Sequence, residues 1–150
     1  MRELIRLVQS LPDIEIAETP EDFTVFAERS LQSREKVIYY AGSIDLLLEA
    51  YAQAYEDNYY IPTRMKARIL VKMLAPDSEA MRTYRASDTK QLRLTRCLPA
   101  DVQMDYSVMI HDDTVVFFAK DETLYGLSVV SPAIAQTMKV LFDALWRSAE

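Results

Sequence analysis

The segment from Met104 to Glu150 constrains the fold more than any other part of the sequence. It contains three short apolar stretches separated by turn residues, then a long stretch in which apolar residues recur every three or four positions. Short apolar stretches are typical of β-strands, and the longer period is typical of an amphipathic helix. The segment therefore predicts strands at about 105–110, 114–119 and 124–130, joined as antiparallel hairpins and followed by a closing helix.

Two proline-containing motifs mark helix starts. Thr19-Pro20 and Ser131-Pro132 each place a hydroxyl residue before a proline. A hydroxyl side chain caps the free N–H groups of the first turn, where the missing N–H of proline is not needed. We therefore predict a helix over residues 20–32, with Phe23, Phe26 and Leu31 inward, and the closing helix from Pro132 onward.

The first two thirds of the chain alternate between strand-like and helix-like stretches. Strands are predicted at 14–17, 36–41, 67–74 and 92–98, and helices at 2–11, 44–60 (ending before Pro62) and 78–88. The two middle strands are apolar nearly throughout, which is typical of strands covered on both faces. Alternating elements followed by hairpins indicate an α/β fold of mixed α+β character, with a mixed sheet and helices on both faces.

Length and composition limit the organisation and the partners. A chain of 150 residues fits one domain, which we place at residues 12–150 behind a short linker helix at 1–11. Half of the residues are hydrophobic and 27% are charged, an ordinary globular balance. The net charge of -6 disfavours free-standing DNA binding, because an acidic surface repels phosphates.

The rarity of Cys and His narrows the chemistry further. Cys97 is the single cysteine, which excludes an intrachain disulfide and fits a reducing compartment. No stretch approaches the roughly 20 apolar residues of a membrane span. Charged residues interrupt the apolar start of the chain, whereas a signal peptide has an uninterrupted apolar core. We therefore expect a cytoplasmic protein without membrane contact, metal ion or cofactor.

Several of these segments, taken in order, resemble a known family. They are IEIAETPEDFTVFAERSL, EKVIYYAGS, RILVKMLAPD and RLTRCLP, and most distinctively YGLSV at 125–129 and LFDALW at 141–146. Over nearly all of residues 12–149, this succession resembles the effector domain of TrmB-type transcription regulators. The resemblance implies a phospholipase-D-like fold, a homodimer and the sensing of a small polar metabolite such as a sugar.

The resemblance also bears on DNA. Full-length regulators of this type carry a winged helix-turn-helix and a linking helix ahead of the effector domain. Only Arg2 to Leu11 precede the first predicted strand here. These residues are either the stub of such a linker or the start of a protein that never had a DNA reader. DNA is thus expected as a partner only through a winged helix-turn-helix that this chain does not contain.

The catalytic motif of the fold is altered in this sequence. Phospholipase-D-like enzymes use His-x-Lys-x4-Asp, in which His attacks phosphorus, Lys holds the phosphate and Asp orients. Counting back from Asp112, the His position holds Asp105 and the Lys position holds Ser107. His111 starts no such motif, because Asp113 stands where Lys would be. The nucleophile and the cation are both missing, so we expect no enzymatic activity.

The tripeptide His111-Asp112-Asp113 has two interpretations. His beside Asp ligates metal in some phosphohydrolases, but those sites need further histidines and this chain has only one. Asp tolerates the left-handed conformation of tight turns. The sequence therefore favours a polar hairpin turn.

The candidate ligand site lies where strands end and loops converge. Ligands of alternating sheets bind beyond the carboxyl ends of the strands. The predicted ligand-binding residues follow two such strands, occupy the two altered motif positions or end a hairpin strand: Ser43, Asp77, Asp105, Ser107 and Lys120. The simpler interpretation of Ser43 and Asp77 is that they only cap helices. Tyr40, Tyr106 or Tyr125 would supply an aromatic face for a sugar ring.

Other patterns leave alternatives open. The basic run Arg82, Arg85, Lys90, Arg93 and Arg96 suits an anionic ligand, but such runs are more often solvated faces paired with carboxylates. The stripe Tyr51, Tyr55, Tyr59 indicates core more than a dimer contact. A second function that the sequence allows is a protein-interaction or dimerisation module without a ligand. A third function is that of a divergent phosphodiesterase.

Overall fold

The computed structural model of the protein describes residues 11–150, so the linker helix predicted at 2–11 falls outside the described residues except for Leu11. The described chain forms one seven-stranded sheet in the order β1-β7-β6-β5-β2-β3-β4. The strands are β1 (Asp13–Ala17), β2 (Val37–Gly42), β3 (Leu70–Ala75), β4 (Arg93–Cys97), β5 (Ser107–His111), β6 (Thr114–Lys120) and β7 (Leu124–Val130).

The sheet is mixed, as predicted. Strands β2, β3 and β4 run parallel. Strand β5 joins β2 antiparallel, with Gly42 opposite Ser107, and β5, β6 and β7 form the predicted hairpins. Strand β1 closes the far edge by antiparallel pairing with β7. The carboxyl ends of β2, β3 and β4 consequently share one edge of the sheet with the start of β5.

Helices cover both faces of the sheet. They are α1 (Pro20–Ser30), α2 (Ile44–Ala50), α3 (Gln53–Tyr55), a π-helix (Glu56–Tyr60), α4 (Ile61–Lys66), α5 (Glu79–Ala86), a 3-10 turn (Asp88–Lys90) and α6 (Pro132–Ser148). Both predicted caps are confirmed: Thr19 caps α1 in a reciprocal arrangement with Asp22, and Ser131 caps α6. Phe23 and Phe26 of α1 pack on one face, and Phe142 of α6 packs on the other.

The single helix predicted at 44–60 is wrong. Tyr51 leaves the helical conformation (φ -125°, ψ 123°), so α2 ends there. A new helical segment runs from Gln53 to Lys66 and passes through Pro62. Proline breaks an α-helix because it lacks an N–H and crowds the preceding turn. Here the π-helix ends at Tyr60 and Pro62 stands at the start of the next α-helical turns, where its missing N–H is tolerated.

The strand predicted at 67–74 also needs correction. Helix α4 extends to Lys66, and Arg68 adopts a left-handed conformation (φ 59°) before β3 begins at Leu70. The N–H groups of Arg68 and Ile69 donate to the carbonyls of Met65 and Arg64, a pattern that closes helix ends. The apolar run that suggested a strand therefore begins inside a helix terminus.

The π-helix brings a carboxyl group into the core. Glu56 is 5% exposed and lines a cavity of about 40 Å3 beneath α1 and α5. The cavity is also lined by Tyr51 and Tyr84, whose hydroxyls have no hydrogen-bond partner among the described residues. Desolvation by burial raises the pKa of Glu56 to about 7. The π-helix thus places a titratable group where an α-helix face would usually be apolar.

Candidate functional site

A cleft of about 220 Å3 opens at the carboxyl ends of β2 and β3. Its walls come from the starts of α2 and α5 and from the loop between β4 and β5. The lining residues are Ser43, Ile44, Asp45, Pro76, Ser78, Gln103, Met104 and Asp105. The cleft therefore lies where ligands of alternating sheets usually bind.

The two serines of the cleft cap helices. The Ser43 hydroxyl accepts the N–H of Leu46 at 3.2 Å, and the Ser78 hydroxyl accepts the N–H of Met81 at 3.0 Å. Each hydroxyl retains a proton and a second lone pair. Capping and ligand contact are therefore compatible at both serines.

Gly42 brings the altered motif next to the cleft. Its backbone has φ 137°, a conformation that L side chains rarely adopt. A Cβ at this position would lie 2.4 Å from the carbonyl oxygen of Tyr106 and 2.5 Å from the Cα of Ser107. Only glycine allows β2 to approach the start of β5 this closely, and that approach places Asp105 in the cleft wall.

The two altered motif positions differ in environment. Asp105 lines the cleft, and its carboxylate makes no hydrogen bond or ion pair with any residue in the described range. Ser107 is 4% exposed, and its hydroxyl has no partner among residues 11–150. The position that carries a phosphate-binding lysine in the motif therefore holds a short, buried hydroxyl.

The other two predicted site residues lie outside this cleft. Asp77 lines a neighbouring pocket of about 580 Å3, where Arg82 donates to its carboxylate at 2.6 Å. Lys120 forms an ion pair with Glu49 of α2 at 2.7 Å. The structure thus brings Ser43 and Asp105 together in the cleft, whereas Ser107, Asp77 and Lys120 are not among its lining residues.

The three tyrosines predicted to offer a ring face to a sugar lie in different environments. Tyr40 is buried and donates its hydroxyl to the carbonyl of Ser43 at 2.6 Å, which supports the cleft from below. Tyr106 is largely exposed next to Asp105. Tyr125 is half-buried on β7. None of the three tyrosines lines the cleft.

Three polar residues of the cleft, Asp45, Ser78 and Gln103, are not among the site residues predicted from the sequence. Asp45 lies in the first turn of α2, and Gln103 lies in the loop before β5 and lines both pockets. Asp45 was predictable from the sequence, because it follows the capping Ser43 by two positions. Gln103 was not predictable, because the loop around it has no periodicity that assigns a direction to its side chain.

The predicted hairpin turn at Asp112 is confirmed. Asp112 adopts φ 50° between β5 and β6. His111 is the last residue of β5, where burial lowers the pKa of its imidazole. Within the part of the chain that the structure describes, no three His, Cys, Asp or Glu side chains are grouped to hold a metal ion.

The basic run does not form a single cationic surface. Arg93 is buried and donates to Asp88 at 2.9 Å. The guanidinium of Arg96 lies 4.4 Å from the ring centre of Trp146, and Arg82 pairs with Asp77. In the tyrosine stripe, Tyr51 is core and Tyr59 is exposed. The basic run and the tyrosine stripe therefore each contain buried residues and exposed residues.

The lining of the cleft limits its chemistry. Two carboxylates, two hydroxyls and one amide face it, and none of its lining residues is Lys, Arg or His. Carboxylates and amides bind hydroxyl and amine groups, whereas phosphate groups need cations or clustered N–H donors. The cleft is therefore suited to a neutral polyhydroxylated ligand or a cationic ligand.

Neither a protein-family model nor a curated protein sequence matches the chain. Solved structures do match it. TrmBL2, an archaeal chromatin protein with a novel mode of DNA binding, has a TM-score of 0.63 at 15% identity, covering 99% of this chain. The match covers 60% of TrmBL2, so the present chain spans less than two thirds of that protein.

Two further structures match over almost their whole length. NucT from Helicobacter pylori has a TM-score of 0.61 at 13% identity, covering 92% of this chain and 98% of NucT. Nuc from Salmonella typhimurium, a phospholipase D family member, has a TM-score of 0.62 at 14% identity, covering 93% and 97%. The predicted phospholipase-D-like fold is confirmed. Identities this low establish the fold alone.

None of the helices within residues 11–150 combines the length and the apolar character that crossing a bilayer requires.

Proposed function

We propose that the domain is a non-catalytic sensor that binds a small polar metabolite, such as a sugar, in the cleft. The observation that carries the proposal is the cation-free lining of the cleft, in which Asp45, Asp105 and Gln103 offer oxygen and amide groups. A sugar presents many hydroxyls, which such groups bind. The resemblance to TrmB-type effector domains points to the same ligand class.

The position of the cleft supports a signalling role. Ser43 and Ser78 both cap helices from inside the cleft, so a ligand that bonds to their hydroxyls contacts the starts of α2 and α5 directly. Loop residues Gln103 and Asp105 form the opposite wall. Ligand binding would therefore favour one arrangement of these elements, which a partner protein or a DNA-binding region can recognise.

A thermal-shift screen tests the sensing proposal. Ligands that bind only the folded state raise the melting temperature. We expect at least one neutral sugar to stabilise the wild type, with the effect lost in Asp105→Ala and retained in Asp13→Ala, an exposed carboxylate on β1. Failure of every neutral sugar at millimolar concentration would contradict sugar sensing in the cleft, and stabilisation by a nucleotide or sugar phosphate alone would not support it, because the cleft lacks cations.

The absence of catalysis is part of the proposal. A phosphodiesterase of this fold needs a nucleophile and a cation at the motif positions, which here hold Asp105 and Ser107. We expect no turnover of bis(4-nitrophenyl) phosphate. Turnover that Asp105→Ala abolishes would establish the third function, a divergent phosphodiesterase.

The second candidate function is dimerisation, and exposed apolar residues on β1 favour it. Ile14 and Ile16 are 61% and 62% exposed on the edge strand. Ile16 lies opposite Leu127 in the sheet, and Leu127 lies opposite Phe117, which packs against α6. Side chains at paired positions point to the same face, so Ile16 is on the face of the sheet that carries α6. Leu141 of α6 is exposed on the same side of the sheet. Exposed apolar residues on one face of a sheet are typical of interfaces.

Sedimentation measurements separate dimerisation from sensing. We expect a dimer mass that Ile16→Lys converts to a monomer mass, while Val25→Lys on α1 leaves the dimer intact. A monomer mass for the wild type at high protein concentration would contradict dimerisation and leave the sensing proposal to the thermal-shift screen.

The proposed function also includes a route to DNA. TrmBL2 is a DNA-binding protein, and the chain matches 60% of its length. We propose that the sensor acts on DNA through a winged helix-turn-helix supplied outside these residues. Inspection of the neighbouring coding sequence, or co-purification with a winged-helix protein, tests this route to DNA independently of ligand binding.

A further inference from the structure

A groove of about 620 Å3 lies at the amino-terminal ends of β2 and β3, at the opposite edge of the sheet from the cleft. The basic groove, as we call it, is lined chiefly by Arg34, Lys36, Lys66, Gln32, Thr63 and Tyr59. Three cations in one concavity stand out in a chain whose net charge is -6. We propose that the basic groove binds a ligand that carries phosphate groups.

The cations of the groove form no salt bridge with the described residues, although the charge of Arg34 helps to lower the pKa of the Asp112 carboxyl. Arg34, Lys36 and Lys66 form no ion pair with any residue in the range 11–150. Glu35, which lies between two of them in sequence, instead bonds to Lys139 at 2.9 Å. The groove is consequently a local site of positive potential, which attracts anions.

One acidic residue, Glu28, also lines the groove, but its carboxylate is engaged. The hydroxyls of Tyr55 and Tyr59 donate to its two oxygens at 3.2 and 3.1 Å. Hydrogen bonding to both oxygens holds the carboxylate against the tyrosines. Glu28 keeps its charge, so the three cations and this carboxylate give the lining of the groove a net charge of +2.

The loop that carries two of the cations is fixed in place. The carboxylate of Asp112 accepts the backbone N–H groups of Arg34 and Glu35 at 3.0–3.1 Å. The carbonyl of Lys36 accepts the N–H of Leu70 at 3.0 Å. A loop held at both ends adds no cost of backbone ordering at the moment of binding.

Two basic residues at this edge occupy unfavourable backbone conformations. Lys36 has φ 60°, and Arg68, exposed two positions after Lys66, has φ 59°. Glycine or asparagine would adopt these conformations with less strain. Cations at helix ends often serve only to offset the helix dipole, which accounts for Lys66 in the last turn of α4. That explanation does not account for lysine at the strained position of Lys36.

The shape of the groove narrows the ligand class. Its volume is in the range of small-molecule sites. Tyr59 is 42% exposed at the rim, and an aromatic face there would stack on a base or a sugar. A nucleotide fits this arrangement, with its phosphate groups bound by Arg34, Lys36 and Lys66 and its base stacked on Tyr59. The same chemistry is presented by the backbone of a nucleic acid, and the experiment distinguishes the two sources.

Calorimetric titration at low salt tests the proposal with two probes, adenosine monophosphate and a short duplex DNA. We expect at least one to bind the wild type and Lys66→Gln to weaken that binding by about fivefold. Lys90→Gln, which removes an exposed cation elsewhere, is expected to leave the affinity unchanged. Lys36→Asn is expected to weaken binding without lowering the melting temperature, because asparagine tolerates the left-handed conformation.

The two probes identify the source of the phosphate. Binding of the monophosphate indicates a nucleotide, and binding of the duplex alone indicates a nucleic-acid backbone. Failure of both probes at millimolar concentration would overturn the proposal. It would also be overturned if Lys66→Gln and Lys90→Gln weakened binding equally, because the effect would then be one of overall charge.

Discussion

The carboxylate of Asp112 accepts the backbone N–H of Arg34 at 3.1 Å from each of its oxygens, across 78 positions of the sequence. One of these oxygens also accepts the N–H of Glu35 at 3.0 Å. The side chain thereby ties the loop before β2 to the turn between β5 and β6. Asp112 is the one motif position that keeps its residue type, and in this protein its contacts give it a structural role.

Removing the charge at Asp112 should weaken the fold. Asn tolerates the left-handed backbone but is a poorer acceptor, so we expect Asp112→Asn to lower the free energy of unfolding by about 1–2 kcal/mol. Asp112→Ala should cost about 3 kcal/mol, because it also strains the turn. Urea unfolding measures both. Asp113→Asn, which changes a neighbouring carboxylate without side-chain hydrogen bonds to described residues, should have little effect.

The same carboxylate should contribute to acid sensitivity. Burial acts to raise the pKa of Asp112, but the N–H groups of Glu35 and Arg34 outweigh it, so the pKa lies below its ordinary value of 3.8. A lowered pKa contributes stability above the unfolded-state value, and this contribution is lost as the pH falls through the folded-state value. The difference between wild type and Asp112→Asn should therefore shrink as the pH falls below about 4. A constant difference would contradict the assignment.

The two glycines should respond differently to alanine. At Gly42 a Cβ would lie 2.4 Å from a backbone oxygen, and the backbone is left-handed. We expect Gly42→Ala to cost more than about 3 kcal/mol or to prevent folding. At Gly126 the nearest atoms are ring carbons of Phe23 and Phe26 at 3.2 Å, and side chains can shift. Gly126→Ala should cost about 1 kcal/mol, and equal losses by thermal unfolding would contradict the distinction.

Local physics explains which elements were predictable. The capping motifs at Thr19 and Ser131 and the alternation in 124–130 are set by neighbouring residues, so the sequence predicts them. The break at Tyr51 and the π-helix at 56–60 have a different origin. They depend on packing against the sheet and α1, which override the helical period of the segment. The cleft was predictable as a strand-end location, whereas Gln103 was not, because only the tertiary path of its loop brings it there.

Glu56 should make stability fall as the pH rises. Burial raises the pKa of Glu56 to about 7, against an ordinary value of 4.5. Stability that depends on the protonated form is fully present below the unfolded-state pKa and is lost as the pH rises through the folded-state pKa. At about 1.4 kcal/mol per pH unit, the loss between pH ~4.5 and ~7 is on the order of 3 kcal/mol.

Replacing Glu56 isolates this effect. Glu56→Gln keeps the shape of the protonated side chain and cannot ionise, so its stability should vary less with pH than that of the wild type. Chemical denaturation at pH values between about 4.5 and about 7 measures the difference. Asp13→Asn, at an exposed carboxylate on β1 that does not act on Glu56, should retain the wild-type dependence. If Glu56→Gln kept the full slope as well, another group would be responsible.

Arg64 should be irreplaceable by lysine. Its guanidinium is 1% exposed and donates to the carbonyls of Ile69, Leu92 and Gln91 at 2.6, 2.9 and 2.5 Å. These bonds join the end of α4 to the start of β3 and to the approach to β4. A planar fork reaches all three acceptors, whereas an ammonium group at the end of a shorter chain does not. Carbonyls left unpaired in the core carry a desolvation cost.

We therefore expect Arg64→Lys to lower the free energy of unfolding by about 2–4 kcal/mol, measured by urea titration. Arg82→Lys is the matched control, because Arg82 forms its ion pair with Asp77 at the surface, where such pairs contribute little. Its effect should stay below about 0.5 kcal/mol. A similar loss in both variants would mean that the number of carbonyl acceptors is unimportant. A loss confined to Arg64→Lys would identify this buried guanidinium as the link between helix α4 and the parallel strands.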